Sequence, residues 1–134
     1  MTPTADSDRD RGSAPVDFVI VGSLLTLLFL ALLQVGIDFY VRNALEACAA
    51  DGARYAANAD IADPRAAATR TDELIVQSLG RRYADARATA VRDQVDGQPV
   101  ITVEVTARLP LLAWFLPDGP TVHVVGHALQ EPDR

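Results

Sequence analysis

"RDRGSAPVDFVIVGSLLTLLFLALLQVG", residues 9–36, runs from a charged, glycine-ended prefix straight into an apolar stretch, with one carboxylate, Asp17, at the threshold. The twenty residues between Asp17 and Asp38 carry no charge. At 1.5 Å per residue a helix of that length covers about 30 Å, the thickness of a bilayer's hydrocarbon core. A secretory signal has a shorter apolar centre and ends in small residues at once. This run is too long for that and continues as helix, so it reads as a single membrane span. Arg9 and Arg11 both lie within nine residues of the span, whereas on the other side Arg42 is five residues away and Arg54 seventeen. That asymmetry favours a cytoplasmic amino terminus and an extracytoplasmic remainder.

Working outward, residues 1–12, "MTPTADSDRDRG", are polar and aperiodic and read as a leader. From residue 13 to residue 57 the only proline is Pro15, in the first turn, where a missing N–H costs nothing. One long helix of roughly 45 residues, about 68 Å, is expected. Its first half is apolar all round. Its second half is amphipathic, with Tyr40, Ala44, Cys48, Gly52 and Ala56 recurring every fourth residue. Small side chains at that spacing allow another backbone to approach closely, whether from this chain's own domain or from another subunit.

Residues 58–134 read as a small extracytoplasmic α+β domain. A second helix is expected from Asp63 as N-cap and Pro64 as first residue, fading at Gly80. Three strands follow in "ARATAVRDQV", "PVITVEVTARL" and "TVHVVGHALQ", the first two joined by turn chemistry at Asp96-Gly97. In the second, Ile101, Val103, Val105 and Ala107 share one face. An antiparallel sheet of about three strands with a helix on one face is the smallest arrangement that holds together. The connection "LPLLAWFLPDGP", with Leu109 to Leu116, is too apolar to stay in water. It is expected to cover the sheet, to meet a partner, or to seat Trp114 among lipid headgroups.

Composition excludes several functions. A net charge of −6 gives no basis for binding nucleic acid. The single cysteine, Cys48, has no internal disulfide partner. His123 and His127, placed on one strand, lie about 13 Å apart, too far to share a metal ion. Phosphate-loop, zinc-protease and nucleophile-elbow motifs are absent from the sequence. The acid pair Asp72-Glu73 is read as a helix-start feature favoured by the dipole. The expectation is a non-enzyme with no cofactor and no metal.

The threshold carboxylate admits a bland reading, a helix N-terminal acid at headgroup level. Counted from Ser13, however, Pro15 is third, Asp17 fifth and Phe18 sixth. A charged leader ending in Gly12, a carboxylate fifth after it, an aromatic and then an apolar helix resemble the processing site of type IV prepilins. With "YVRNALEACAADGARYAA" after the span and a strand-rich tail ending in "GHALQE", the layout resembles the TadE-like proteins, minor pilins or pseudopilins of the tight-adherence (Tad/Flp) pilus system. The family usually has Glu at the fifth position, so Asp17 keeps the carboxylate one methylene shorter.

The resemblance implies cleavage by a prepilin peptidase between Gly12 and Ser13, with Asp17 and Phe18 as assembly residues. It implies close helix packing at Gly22, Ser23 and Gly36, to which the four-residue spacing adds Ala44, Cys48, Gly52 and Ala56 as packing positions. The implied partners are the peptidase, other pilins or pseudopilins, the Tad assembly machinery and the bilayer. The competing reading is an unprocessed, signal-anchored envelope protein whose outer domain binds another protein.

Overall fold

The computed structural model describes residues 13–58, 63–111 and 119–130. The elements run α1 (Ser13–Ala57), α2 (Pro64–Leu79), a 3-10 turn η1 (Arg81–Tyr83), β1 (Arg87–Val95), β2 (Gln98–Arg108) and β3 (Thr121–Leu129). The fold is α+β, as the sequence patterns predict. The chain divides into two units, Met1–Gly36 and Ile37–Arg134, so the boundary falls inside α1.

In the first unit α1 has no core to join. Phe18 is 79% exposed, and Leu24, Leu27 and Leu32 are similarly open. Two of its hydroxyls bond within the helix: Ser23 donates to the Val19 carbonyl, and Thr26 to that of Gly22 at 2.8 Å. Such back-bonding satisfies these two donors in an apolar surrounding. Among the described residues, α1 is the one helix long and apolar enough to cross a membrane.

The second unit is built on a three-stranded antiparallel sheet in the order β1-β2-β3. Asp96 and Gly97 both adopt positive φ, 52° and 77°, the signature of the two-residue turn whose twist matches an antiparallel pair. They place Val95 opposite Gln98 and set the register that pairs Val103 with Ala90. β3 continues that register, with Gly126 opposite Val103 and Val124 opposite Val105. Alternation therefore brings Ile101, Val103, Val105 and Ala107 to one face with Val124, and all five are buried.

Both helices contribute to the core beneath that face. Val41, Leu45, Ala49, Ala53 and Ala56 from α1 join Ala67 and Ile75 from α2. Burying a side chain the size of leucine or isoleucine contributes about 1.5–3 kcal/mol, so Leu45, Ile75, Ile101 and the inward valines dominate this small core. Asp63 caps α2 by accepting the Arg65 N–H at 2.9 Å, and Pro64 occupies the first turn. Gly80 ends α2 at φ 87°, a left-handed value that favours glycine, and its N–H returns to the Val76 carbonyl. The η1 turn that follows, absent from the sequence expectation, buries Tyr83. The stretch 112–118, most of the apolar connection, lies outside the described residues. On its near side Leu109 packs on the core, and its N–H donates to Pro120 at 3.0 Å.

Candidate functional site

Gly12 lies outside the described residues, and Ser13 opens α1. Asp17 is exposed in its first turns just ahead of the charge-free run, and Phe18, also exposed, opens that run. Gly22 and Gly36 have nothing within 4 Å of an added Cβ, so both notches are open. Small residues that no element of the chain fills are available to a backbone from elsewhere. Ser23 is exposed, with its hydroxyl turned back on the helix. Asp17, Phe18, Gly22, Ser23 and Gly36 thus form an uncovered helical surface.

The small residues of the second half are differently placed. Gly52 faces α2, where an added Cβ would meet the Thr71 side chain and come within 2.8 Å of the Ala67 carbonyl oxygen. Thr71 is fully buried and donates its hydroxyl to Ala67 at 2.8 Å. Cys48 is buried with its thiol 3.9 Å from the Ser78 hydroxyl, and Ala56 is wholly enclosed. On the sheet side, an added Cβ at Gly126 would lie 2.5 Å from the backbone of Ala49 and Ala50. Cys48, Gly52 and Ala56 therefore face this chain's own α2 and sheet, while Ala44 is half-buried and Tyr40 is 64% exposed.

The buried stripe is Val41, Leu45, Cys48, Ala49, Gly52, Ala53 and Ala56. A strict fourth-residue row turns 400° rather than 360° per step, so it drifts off the core face at one end. The alternating steps of four and three residues follow that face, and Val41 and Leu45 were the missed signal.

The histidines do not form a site. His127 Nδ1 lies 3.0 Å from the Thr102 hydroxyl, and His123 Nδ1 lies 3.0 Å from that of Thr106. These are cross-strand pairs on the outer face of the sheet, separated on that face by the Glu104–Val125 pair. Among the described residues no group of three His, Cys, Asp or Glu could hold a metal ion.

The acid pair Asp72-Glu73 is mid-helix rather than at a helix start, because α2 begins at Pro64. Packing and pairing replace the dipole as its explanation. Asp72 accepts the Ala88 N–H of β1 at 3.2 Å, and Glu73 pairs with Arg70 at 3.3 Å. Burial pushes the Asp72 carboxyl above the ordinary carboxylate range, against the Ala88 bond and the nearby Arg87 charge. The Tyr83 hydroxyl is raised chiefly by burial too, with Arg82 pulling it down and Asp38 pushing it up. Around Tyr83 lies a polar cleft of about 580 Å³, whose walls include Arg82, Asp85, Arg87, Arg108 and Thr121.

An uncovered apolar helix of this length, continuous with an α+β unit, is consistent with a single-pass membrane anchor. The comparisons narrow the class. The model of the TadE-like protein family matches residues 12–54, so the amino-terminal part of this chain is similar to that family. No curated protein and no solved structure matches the chain.

Proposed function

We propose that the chain is a minor pilin or pseudopilin of a tight-adherence pilus, cut after Gly12 by a prepilin peptidase. The observation that carries this is the family match, which starts at Gly12 and covers the uncovered half of α1. Cleavage exposes the α-amine of Ser13 one helical turn from Asp17. In a bundle of apolar helices an uncompensated charge is costly, and the Asp17 carboxylate is a counter-charge for that amine on its own or a neighbouring chain. The pairing fixes axial register, since only one offset between neighbours brings the two charges together. Gly22, Ser23 and Gly36 then form the notches where neighbouring helices close up. The amino terminus faces the cytoplasm, and the unit from Ile37 onward lies outside the membrane and carries contacts with the assembly machinery.

Intact-mass measurement of the protein from its native membrane tests the cleavage. A chain beginning at Ser13 is expected, and a species beginning at Met1 in a host with the peptidase defeats the proposal in favour of the signal-anchored reading. Asp17→Ala is expected to insert but not to assemble, and Asp17→Glu to assemble. Wild-type assembly by the alanine variant returns Asp17 to an ordinary helix-start acid.

A further inference from the structure

The two edges of the sheet are finished differently. Gln130 donates its N–H to the Pro99 carbonyl at 2.9 Å, and Leu109 donates to that of Pro120 at 3.0 Å. With the register of the β2–β3 pair, these bonds turn the even-numbered residues of β3 toward β2. Alternation turns the N–H and C=O groups of Thr121, His123, Val125, His127 and Leu129 the other way, five donors and five acceptors. Among the described residues none of these groups has a partner. Over its nine residues β3 also holds no acid, no lysine, no arginine and no proline.

β1 is closed by side chains. Val95 and Gln98, the pair that closes the two-residue turn, bond to each other, so the outward groups of β1 are those of Ala88, Ala90, Arg92 and Gln94. Asp72 accepts the Ala88 N–H at 3.2 Å, and Asp93 accepts that of Gln94 at 2.8 Å. Arg87, Arg92 and Asp93 put charge along the strand. Occupied donors and charged side chains keep a sheet edge from recruiting further strands. β1 has both and β3 has neither, although each strand is nine residues long.

A second copy of the chain does not fit on this edge. An added Cβ at Gly126 would lie 2.5 Å from the backbone of Ala49 and Ala50, so α1 runs directly beneath β3. Two β3 strands paired edge to edge lie about 4.8 Å apart and would bring their α1 helices to that same separation. Packed helices need roughly 8–10 Å. The occupant is therefore a strand with no helix beneath it. β3 offers no acid, lysine or arginine to pair with a charge, so the positions facing it are uncharged. Val125 and Leu129, 45% and 68% exposed on the outer face, favour apolar side chains beside them. We propose that the β3 edge takes up one extended, uncharged segment of a partner polypeptide as a fourth strand. Backbone bonds supply the affinity, and the alternating side chains select the partner. The edge belongs to the second unit alone and is independent of the cleavage and assembly reading.

The test uses the full chain in neutral-detergent micelles and an end-capped synthetic peptide, TVHVVGHAL, which is the sequence of β3 without the helix beneath it. Amide hydrogen exchange is followed residue by residue by NMR. The peptide is expected to slow Thr121, His123, Val125, His127 and Leu129. The intervening amides of β3, already bonded to β2, and those of Ala90 and Arg92 on β1 should not respond. Val125→Pro removes an N–H that the fold does not use, and proline is tolerated on an edge strand at such a position. Its even-numbered β3 amides should stay protected, which shows that it folds. With that donor lost, the peptide should bind it about tenfold more weakly. No slowing at millimolar peptide, slowing without alternation, equal slowing on β1, or undiminished affinity in the folded Val125→Pro variant overturns the proposal. Alternating protection that grows with protein concentration in the absence of peptide makes the occupant a second copy, and overturns it as well.

Discussion

The two halves of α1 are continuous helix and yet obey different rules. Leu28 is 55% exposed, while Leu45 is wholly buried. Before Gly36 nearly every direction around the helix is apolar, so no face is preferred and only an apolar surrounding, lipid or other helices, satisfies it. After Ile37 the apolar positions thin to one stripe, and alanine, cysteine and glycine replace leucine where α2 and β3 come close. Leucine density fits a segment to a solvent, whereas small residues on a stripe fit it to a particular neighbour.

The sharpest way to break this contrast is the same substitution in both halves. Leu45→Ala should destabilise the outer unit by about 2–5 kcal/mol, because it empties a filled core site. Leu28→Ala should change that unit's stability by less than about 0.5 kcal/mol. Amide hydrogen exchange of β2 in micelles measures both. Equal effects would mean that the first half also packs on a core.

Glycines give a second paired test. Gly126→Val places carbon against the Ala49–Ala50 backbone, which has no flexible end to yield, and should cost the outer unit about 1–3 kcal/mol or more. Gly22→Val meets nothing in the chain. It should leave folding unchanged and, if the assembly proposal holds, lower only incorporation into the pilus. Thermal unfolding followed by circular dichroism reads the first, and pilus yield reads the second.

The sheet that supports the second half can be weakened from its far end. Gly97 turns at φ 77° with open space around it, so Gly97→Ala pays only for the left-handed backbone, about 1 kcal/mol. Strand and second-half amides should lose protection together, while first-half amides do not respond.

Much of this arrangement is legible in the residues. The charge-free run, the Asp63-Pro64 start of α2, the Asp96-Gly97 turn and the alternation from Ile101 to Ala107 are local signals, each decided by neighbours within a few positions. What was not legible depends on tertiary contact. Which small residues of α1 face inward is set by α2 and β3, and Tyr40 gives way to Val41 for that reason. Val100 and Thr102, on the outer face, are 3% and 6% exposed because neighbours on both flanking strands screen the central one. The polar cleft around Tyr83 joins residues from η1, β1, β2 and β3, so no window of sequence displays it.

The smallest predicted effect concerns the tie between α2 and β1. The Asp72 carboxyl accepts the Ala88 N–H, yet burial raises its pKa more than that bond and Arg87 lower it. The folded unit therefore holds a proton on Asp72 more readily than the unfolded chain does. Where the folded state binds more protons, stability falls as pH rises, so this group's contribution declines from the ordinary carboxylate range up through its raised value. Asp72→Asn keeps an oxygen for the Ala88 N–H and has no proton to lose. From the ordinary carboxylate range up through the raised value of Asp72, the wild-type unit should lose slightly more stability with rising pH than the variant does. At neutral pH the variant should be at least as stable as wild type. Asp72→Ala removes the acceptor as well, leaves the Ala88 N–H to water, and should be less stable than the asparagine variant at every pH. If the asparagine variant is instead the weaker at neutral pH, the charge on Asp72, through Arg87, matters more to the α2–β1 contact than its burial.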